Sequence, residues 1–316
     1  MVAMGKKNII LHVGLPKTGT TFIQERVFPF LEDTYLLFGG IHLKGTPFEK
    51  YGIKVWKNSI HSLNPSVYTK EIETAKNWTH SLKEKNFILS AEGINGIDCS
   101  DKSIERIKLF GDLLGENAKV FLVVRKQDFW LQSMYNQQII KDKIKLFVKI
   151  NQYVGWKSSS YNTNGEINVY DLDWKKIALA YYKYFGKDNV LVMPYEFFKE
   201  NPEEFLKRFF EFSGIKPFYL ENYEYINKKA KEIQRITLLH FYYKFLSLIK
   251  NKTIIEKIFK NDKGLRNLLD SIGLNINYKN EYLCENQRNI LMNIHKESNK
   301  ELEHVIGFNL KQYGYY

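Results

Sequence analysis

The chain of 316 residues is long enough for one large α/β domain or two small ones, and its hydrophobic fraction of 44% can supply a substantial core. No run of about 18 apolar residues predicts a membrane-spanning helix, and the two scattered cysteines argue against a disulfide framework and for a reducing, cytoplasmic setting. The formal net charge of +12 is spread along the chain, which is typical of a solvated surface and favours an anionic cosubstrate over nucleic acid.

The first stretch with a chemical pattern is Asn8–Gln24, NIILHVGLPKTGTTFIQ. Its apolar run Ile9–Val13 predicts a buried strand, and the apolar periodicity of Phe22–Leu31 predicts a helix. A Gly-rich turn joins them, and Lys17 gives that turn a positive charge. Hydroxyl donors follow the lysine at Thr18, Thr20 and Thr21. Because the amides at a helix N-terminus have no intrahelical partner, the turn is suited to a phosphate or sulfate.

The turn is similar to the Walker A loop, G-x-x-x-x-G-K-[ST], but departs from it at the lysine. Gly14 and Gly19 have the required spacing, whereas Thr20 stands where the lysine belongs and Lys17 comes three places early. A lysine inside the turn approaches a ligand from a different side. The turn is therefore P-loop-like without being a Walker A loop, and the alternative is an ordinary Gly/Thr connection between strand and helix.

Strands and helices alternate in the following segment. In chain order we predict a strand Thr34–Phe38, a loop over 41–64, a helical segment Val67–Lys85, a strand within NFILSAE from Asn86, and a helix Asp101–Leu114 ended by Gly115. This alternation predicts βαβ units and a parallel sheet. The loop contains His42 and His61, and each can be a surface histidine or a catalytic one.

Lys119–Val124 is the strongest buried-strand signal, and Arg125 stands at its carboxyl end, where ligands of parallel sheets bind. A magnesium-dependent P-loop kinase needs an aspartate at such a strand end, and neither VFLVVR nor ILSAE supplies one directly. An arginine suits bidentate phosphate recognition, although it can also be a surface residue. Ser133 follows Arg125 by eight residues in the predicted helix Gln127–Ile140, so about two helical turns could return its hydroxyl to the same phosphate.

The remaining pattern predicts more helix than strand. We predict a helix Trp174–Phe185, a strand Asn189–Met193, a helix that begins near Asn201 with Pro202 in its first turn, and mostly helical structure beyond Pro217. Tyr195 and Glu196 follow the last strand. They either only end that strand or face a ligand. The fold class is α/β, a P-loop-like parallel sheet flanked by helices with a helical C-terminal subdomain.

Two motifs carry a family resemblance. The run PKTGTTFIQ resembles the 5′-phosphosulfate-binding loop of sulfotransferases that use 3′-phosphoadenosine-5′-phosphosulfate (PAPS), and VVRKQDFWLQSMYNQ is similar to their 3′-phosphate signature. The resemblance covers residues 8–215, and the C-terminal run GFNLKQYGYY resembles the tail of bacterial members. It implies one sulfotransferase domain over residues 1–316, with a nucleotide-binding core over 8–216 and a mostly helical part over 217–316.

The resemblance also implies roles for individual residues. Lys17 would neutralise charge on the leaving phosphate without an obligatory metal, and Arg125 with Ser133 would bind the 3′-phosphate. The 5′-phosphate and sulfate would be cradled by Thr18, Gly19, Thr20 and Thr21. The adenine would lie near Phe22 and Tyr195. Family members use a histidine or a glutamate as the base that removes the acceptor proton. Glu92 follows the strand where the cytosolic members carry their catalytic histidine, so the resemblance implies Glu92 as the base. His42 is the alternative.

The implied reaction transfers a sulfuryl group from PAPS to a hydroxyl or amine and leaves 3′,5′-adenosine bisphosphate. Family analogy favours carbohydrate sulfation, on a saccharide or surface polymer, over another small acceptor. Two other hypotheses stay open: a P-loop kinase-like phosphotransferase, and a non-catalytic nucleotide- or glycan-binding protein. The Lys/Tyr/Phe-rich segment Arg235–Lys260 could contact an acidic membrane surface, although a helix packed on the sheet is favoured. The oligomeric state is left open.

Overall fold

The computed structural model describes most of the α/β core and the C-terminal helix. The described residues are 7–38, 45–48, 65–90, 92, 101–115, 117–141, 150, 154–156, 167–218 and 283–316. His42, His61 and the segment Arg235–Lys260 therefore lie outside the described residues. Among the described helices, none is both long and apolar enough to cross a membrane.

Five strands form a parallel sheet in the order β2-β3-β1-β4-β7. The strands of the described chain are β1 (Asn8–Gly14), β2 (Thr34–Phe38), β3 (Asn86–Ser90), β4 (Lys119–Val124), β5 (Val154–Gly155), β6 (Ile167–Asn168) and β7 (Val190–Pro194). β1 lies between β3 and β4, with His12 opposite Ser90 on one side and Phe121 on the other. This order brings the carboxyl ends of β3, β1 and β4 together at one edge.

Helices cover both faces of this sheet. The helices of the described chain are α1 (Thr20–Arg26), α2 (Pro65–Ser81), α3 (Asp101–Leu114), α4 (Gln127–Lys141), α5 (Trp174–Phe185), α6 (Tyr195–Glu200), α7 (Pro202–Ser213) and α8 (Glu285–Ile306). Alternate residues of each strand point to opposite faces. Leu11 and Leu122 accordingly pack with α3, α4, α5 and α8, while Ile10 and Phe121 pack with α1, α6 and α7. The predicted fold class is confirmed, including the helical C-terminal part.

The helix ends follow local signals. Asn201 accepts a hydrogen bond from the Glu204 amide at 3.0 Å, and Pro202 takes the first position of α7, as predicted. An N-terminal proline is tolerated because its missing N–H would have no intrahelical partner. Gly115 follows α3 with a φ of 85°, a conformation that glycine adopts without a steric penalty.

The structure differs from several predicted bounds. The helical segment predicted over Val67–Lys85 ends at Ser81, and the strand predicted over Asn189–Met193 runs over Val190–Pro194. The helix predicted over Phe22–Leu31 ends at Arg26 and gives way to a 3₁₀ turn at Phe28–Phe30, because Pro29 has no N–H to continue the helical ladder. Phe28 is nevertheless buried, so the apolar periodicity continued beyond the helix. The helix predicted from Asn201 is preceded by the short helix α6, which begins at Tyr195 directly after the end of β7.

Candidate functional site

The turn after β1 is held in an unusual backbone conformation. Lys17 has a φ of 70° and Gly19 a φ of 83°, and Gly19 is the N-cap residue of α1. A Cβ on Gly19 would lie 3.0 Å from side-chain atoms of both Phe198 and Tyr195, so a larger residue would be crowded as well as strained. Lys17 adopts the same region without a glycine's freedom, which costs on the order of 1–3 kcal/mol and marks the loop as a functional candidate.

The three threonines of the turn differ in burial. Thr18 is buried, and its Oγ1 donates to the Leu15 carbonyl at 2.5 Å. Thr20 is buried too, with its hydroxyl 3.5 Å from that of Thr18, whereas Thr21 is half-buried. The Thr18 hydroxyl thus closes the turn by a hydrogen bond within the protein.

Arg125 joins the end of β4 to the same turn. Its Nη1 donates to the Lys17 carbonyl at 2.8 Å, and its guanidinium lies 4.8 Å from the centre of the Tyr195 ring. Trp130 supports the contact by donating from Nε1 to the Pro16 carbonyl at 2.8 Å. Three residues that the sequence assigned to a nucleotide, Lys17, Arg125 and Tyr195, are therefore adjacent although they lie far apart in the chain.

The Arg125 side chain is only partly satisfied by the protein. Its buried Nε has no hydrogen-bond partner within the described part of the chain. Burial lowers the pKa of Arg125, while Tyr195, Glu196, Tyr315 and Asp128 act in the opposite direction. A guanidinium carries five N–H donors and suits planar, bidentate oxyanions.

Phe22 and Ser133 occupy different environments. Phe22 is 3% exposed, and its ring lies 5.3 Å from that of Phe198, so most of its surface belongs to the core. Ser133 is half-buried on α4, three residues after Trp130. Residues three apart are neighbours on a helix surface, which places Ser133 near the side of α4 that contacts the turn.

Glu92 lies at a turn two residues after β3 and is half-buried. Because β3 pairs with β1, the end of β3 is next to the start of the Lys17 turn. Glu92 therefore lies at the same edge of the sheet as the turn. The alternative base, His42, lies outside the described residues.

A buried polar network that the sequence reading missed lies under the turn. His12 Nδ1 lies 2.8 Å from Ser90 Oγ, and Gln24 Nε2 donates to the same oxygen at 2.7 Å. His12 is fully buried, its ring stacks on Phe121, and burial lowers its pKa to about 3. The sequence signal was available, because a histidine inside the apolar run IILHVG interrupts a pattern typical of a fully buried strand.

Within the described residues, no group of three or more histidine, cysteine, aspartate or glutamate side chains is placed to hold a metal ion.

The chain matches the family model described as “Sulfotransferase domain” over residues 7–246. No curated protein matches it. Among solved structures, it is similar to a sulfotransferase from Alicyclobacillus acidocaldarius, with 14% identity, a TM-score of 0.41, and coverage of 69% of this chain and 85% of that one. A mouse sulfotransferase complexed with PAP gives 16% identity, a TM-score of 0.34 and coverage of 68% and 61%. The sulfotransferase domain of the Synechococcus PCC 7002 olefin synthase gives 13% identity, a TM-score of 0.33, and coverage of 68% of this chain and 76% of that one.

Proposed function

Since the chain belongs to the sulfotransferase family, we propose that it transfers a sulfuryl group from PAPS to a hydroxyl or amine of a small-molecule or saccharide acceptor. The observation that carries the proposal is the 2.8 Å hydrogen bond from Arg125 Nη1 to the Lys17 carbonyl. It joins the two motifs that resemble the 5′-phosphosulfate and 3′-phosphate sites. A nucleotide phosphorylated at both positions would use both motifs at one edge of the sheet.

Lys17 and the turn would act on the group that is transferred. The S–O bond to the 5′-phosphate breaks while the acceptor oxygen or nitrogen bonds to sulfur, so negative charge increases on the phosphate oxygen. The Lys17 ammonium neutralises that charge, and amides of Thr18–Thr21 hold the oxygens. Fixed donors aimed at charge that develops in the transition state are typically worth a factor of about 10²–10³ each in rate.

Arg125 would distinguish a bisphosphate from a monophosphate. Its Nη1 is committed to the turn, and the rest of its donor fork fits the 3′-phosphate. Ser133 would add a hydroxyl to the same phosphate. Tyr195, whose ring lies against the Arg125 guanidinium, would lie near the adenine. Phe22 would border the adenine only at its exposed edge, since most of its surface is buried.

Glu92 would remove the acceptor proton. Its carboxylate follows the end of β3, and β3 pairs with β1, the strand that leads into the Lys17 turn. His42 is the alternative base. The cytoplasmic location predicted from the two scattered cysteines remains part of the proposal, as does a saccharide or surface polymer as acceptor.

Calorimetry with 3′,5′-adenosine bisphosphate, ATP and AMP tests the nucleotide site. We expect the bisphosphate to bind most tightly, because only it supplies a phosphate to Arg125 as well as to the turn. Preference for ATP would favour the kinase-like phosphotransferase hypothesis instead. Incubation with PAPS and a panel of saccharide, phenol and amine acceptors then tests turnover. Tight bisphosphate binding without transfer to any acceptor would indicate a binding protein.

A further inference from the structure

The C-terminal residues return from α8 to the sheet edge beside Arg125. After α8 ends at Gly307, a 3₁₀ turn at Lys311–Tyr313 leads to Gly314, whose φ is 70°. Tyr315 is fully buried, and its carbonyl accepts a hydrogen bond from Asn299 Nδ2 at 2.9 Å. A tyrosine held so firmly has a fixed hydroxyl position.

That hydroxyl contacts a carboxylate on α6. Tyr315 donates to Glu196 Oε2 at 2.9 Å, while Glu196 Oε1 accepts the amide of Lys126 at 3.1 Å. Burial raises the pKa of Tyr315 well above its usual 10, so the phenol is a neutral donor across the physiological range. Glu196 is therefore fixed by one donor from the tail and one from the residue after Arg125.

The single peptide unit between Arg125 and Lys126 is consequently held from both sides. Trp174 Nε1 donates to the Arg125 carbonyl at 2.7 Å, and Glu196 accepts the next amide along the chain. The negative charge of Glu196 also raises the pKa of Arg125, whereas burial lowers it. Losing the Tyr315 hydroxyl would leave a carboxylate oxygen of Glu196 without this partner, and Glu196 would shift towards solvent or towards Arg125.

We propose that Tyr315, acting through Glu196, is a positioning residue that sets the orientation of Arg125 for a 3′-phosphate. This inference rests on the proposed function, because it assigns the tail to the bisphosphate part of the same site. The tail then contributes to nucleotide selectivity without touching the nucleotide.

Tyr315→Phe tests the inference because it removes the hydroxyl and keeps the buried ring. Hydrogen bonds to charged groups are strong, so we expect affinity for 3′,5′-adenosine bisphosphate to fall by about 5-fold or more. Affinity for AMP, which lacks the 3′-phosphate, should stay the same. Calorimetry measures the selectivity ratio, which is the dissociation constant of AMP divided by that of the bisphosphate. Glu196→Gln should lower the same ratio and provides a second variant if Tyr315→Phe does not fold.

Tyr313→Phe is a matched control. Tyr313 lies on the same tail and donates to Glu200 Oε2 at 2.6 Å, on the same helix α6 but at its other end. Tyr313→Phe removes a second tyrosine–glutamate hydrogen bond of the tail, a more exposed one that does not involve Glu196. We expect it to leave the selectivity ratio unchanged, with the melting temperatures of both variants recorded to measure the loss of tail docking.

The outcomes separate the two proposals. If the wild type prefers the bisphosphate but Tyr315→Phe and Tyr313→Phe shift the ratio equally or not at all, the positioning role is wrong and the proposed function stands. A wild type with no preference for the bisphosphate over AMP would overturn both. A ratio that falls only in Tyr315→Phe and Glu196→Gln supports the positioning role.

Discussion

The two halves of the candidate nucleotide site rest on different buried networks. Under the Lys17 turn the network is formed by His12, Ser90 and Gln24, and burial disfavours the charged form of its histidine. Around Arg125 the network is charged and includes Glu196. Burying the uncharged network removes no ion from water, but His12 Nε2 is buried with no hydrogen-bond partner in the described part of the chain. A buried charge needs partners from all sides.

The halves also differ in what is held. In the turn it is the backbone, because Arg125 and Trp130 donate to the carbonyls of Lys17 and Pro16. Arg125 depends on partners from three further segments: Trp174, Glu196 and Lys17. We therefore expect substitutions in the turn to change chemistry locally, whereas those at Arg125 should change affinity and the order of the turn together.

The largest effect is expected at Glu92, the carboxylate next to the turn. Glu92→Gln keeps the shape but cannot accept a proton, so kcat should fall by about 10²–10⁴, the range typical of general-base loss. Binding of PAPS should be little changed. The acidic limb of the pH–rate profile should disappear, because the amide does not titrate, and steady-state kinetics over pH 5–9 (about the accessible range) measures both.

His42→Asn is the control for this assignment, measured with the same acceptor and salt. Near-full activity in Glu92→Gln together with loss of activity in His42→Asn would transfer the role of base to His42.

Lys17→Ala should have the next largest effect. The ammonium meets charge that appears mainly in the transition state, so we expect kcat to fall by about 10²–10³ while the affinity for 3′,5′-adenosine bisphosphate changes much less. Single-turnover kinetics and calorimetry separate the two quantities. A variant that loses nucleotide affinity but keeps kcat would show that Lys17 only binds, and the contrast between the halves would then disappear.

Arg125→Ala should weaken bisphosphate binding by about 1.5–3 kcal/mol through lost charge-assisted hydrogen bonds. Affinity for AMP should fall less, since only the bond to the Lys17 carbonyl and its effect on the turn are lost. Arg125→Lys is the control, because it keeps the charge but not the planar fork. Unchanged selectivity between bisphosphate and AMP in Arg125→Ala would refute the assignment of the 3′-phosphate to this residue.

The smallest effect concerns the pH dependence of stability. Because burial lowers the pKa of His12 to about 3, the unfolded chain binds more protons than the folded one as the pH falls from the ordinary value of 6.5. The contribution of the uncharged His12 to stability is complete above pH 6.5 and is lost as the pH falls towards 3. His12→Asn should flatten this dependence in urea unfolding measured between pH 7 and 4 (about the useful window).

His304→Asn, at an exposed position of α8, is the control for losing a histidine. Part of the slope should remain in His12→Asn, since burial also lowers the pKa of His295. An unchanged slope in His12→Asn would show that the network beneath the turn does not resist protonation.

Local sequence alone determined most of the elements and the chemical character of the site. Lys119–Val124 and Trp174–Phe185 have the predicted bounds, because apolar periodicity and end signals are properties of neighbouring residues. The turn with Lys17 and the arginine at the end of β4 were identified in the same way. The early end of α1 was missed, since the buried Phe28 continued the apolar periodicity past the helix.

Only the tertiary structure decided which of these groups meet. The hydrogen bond from Arg125 to Lys17 requires β1 and β4 to be neighbours, and no local pattern encodes the order of strands in a sheet. The bond from Tyr315 to Glu196 spans 119 residues and depends on the return of the tail from α8. Such contacts are selected by the burial of whole faces, so the partners of a charged residue become visible only when the chain is folded.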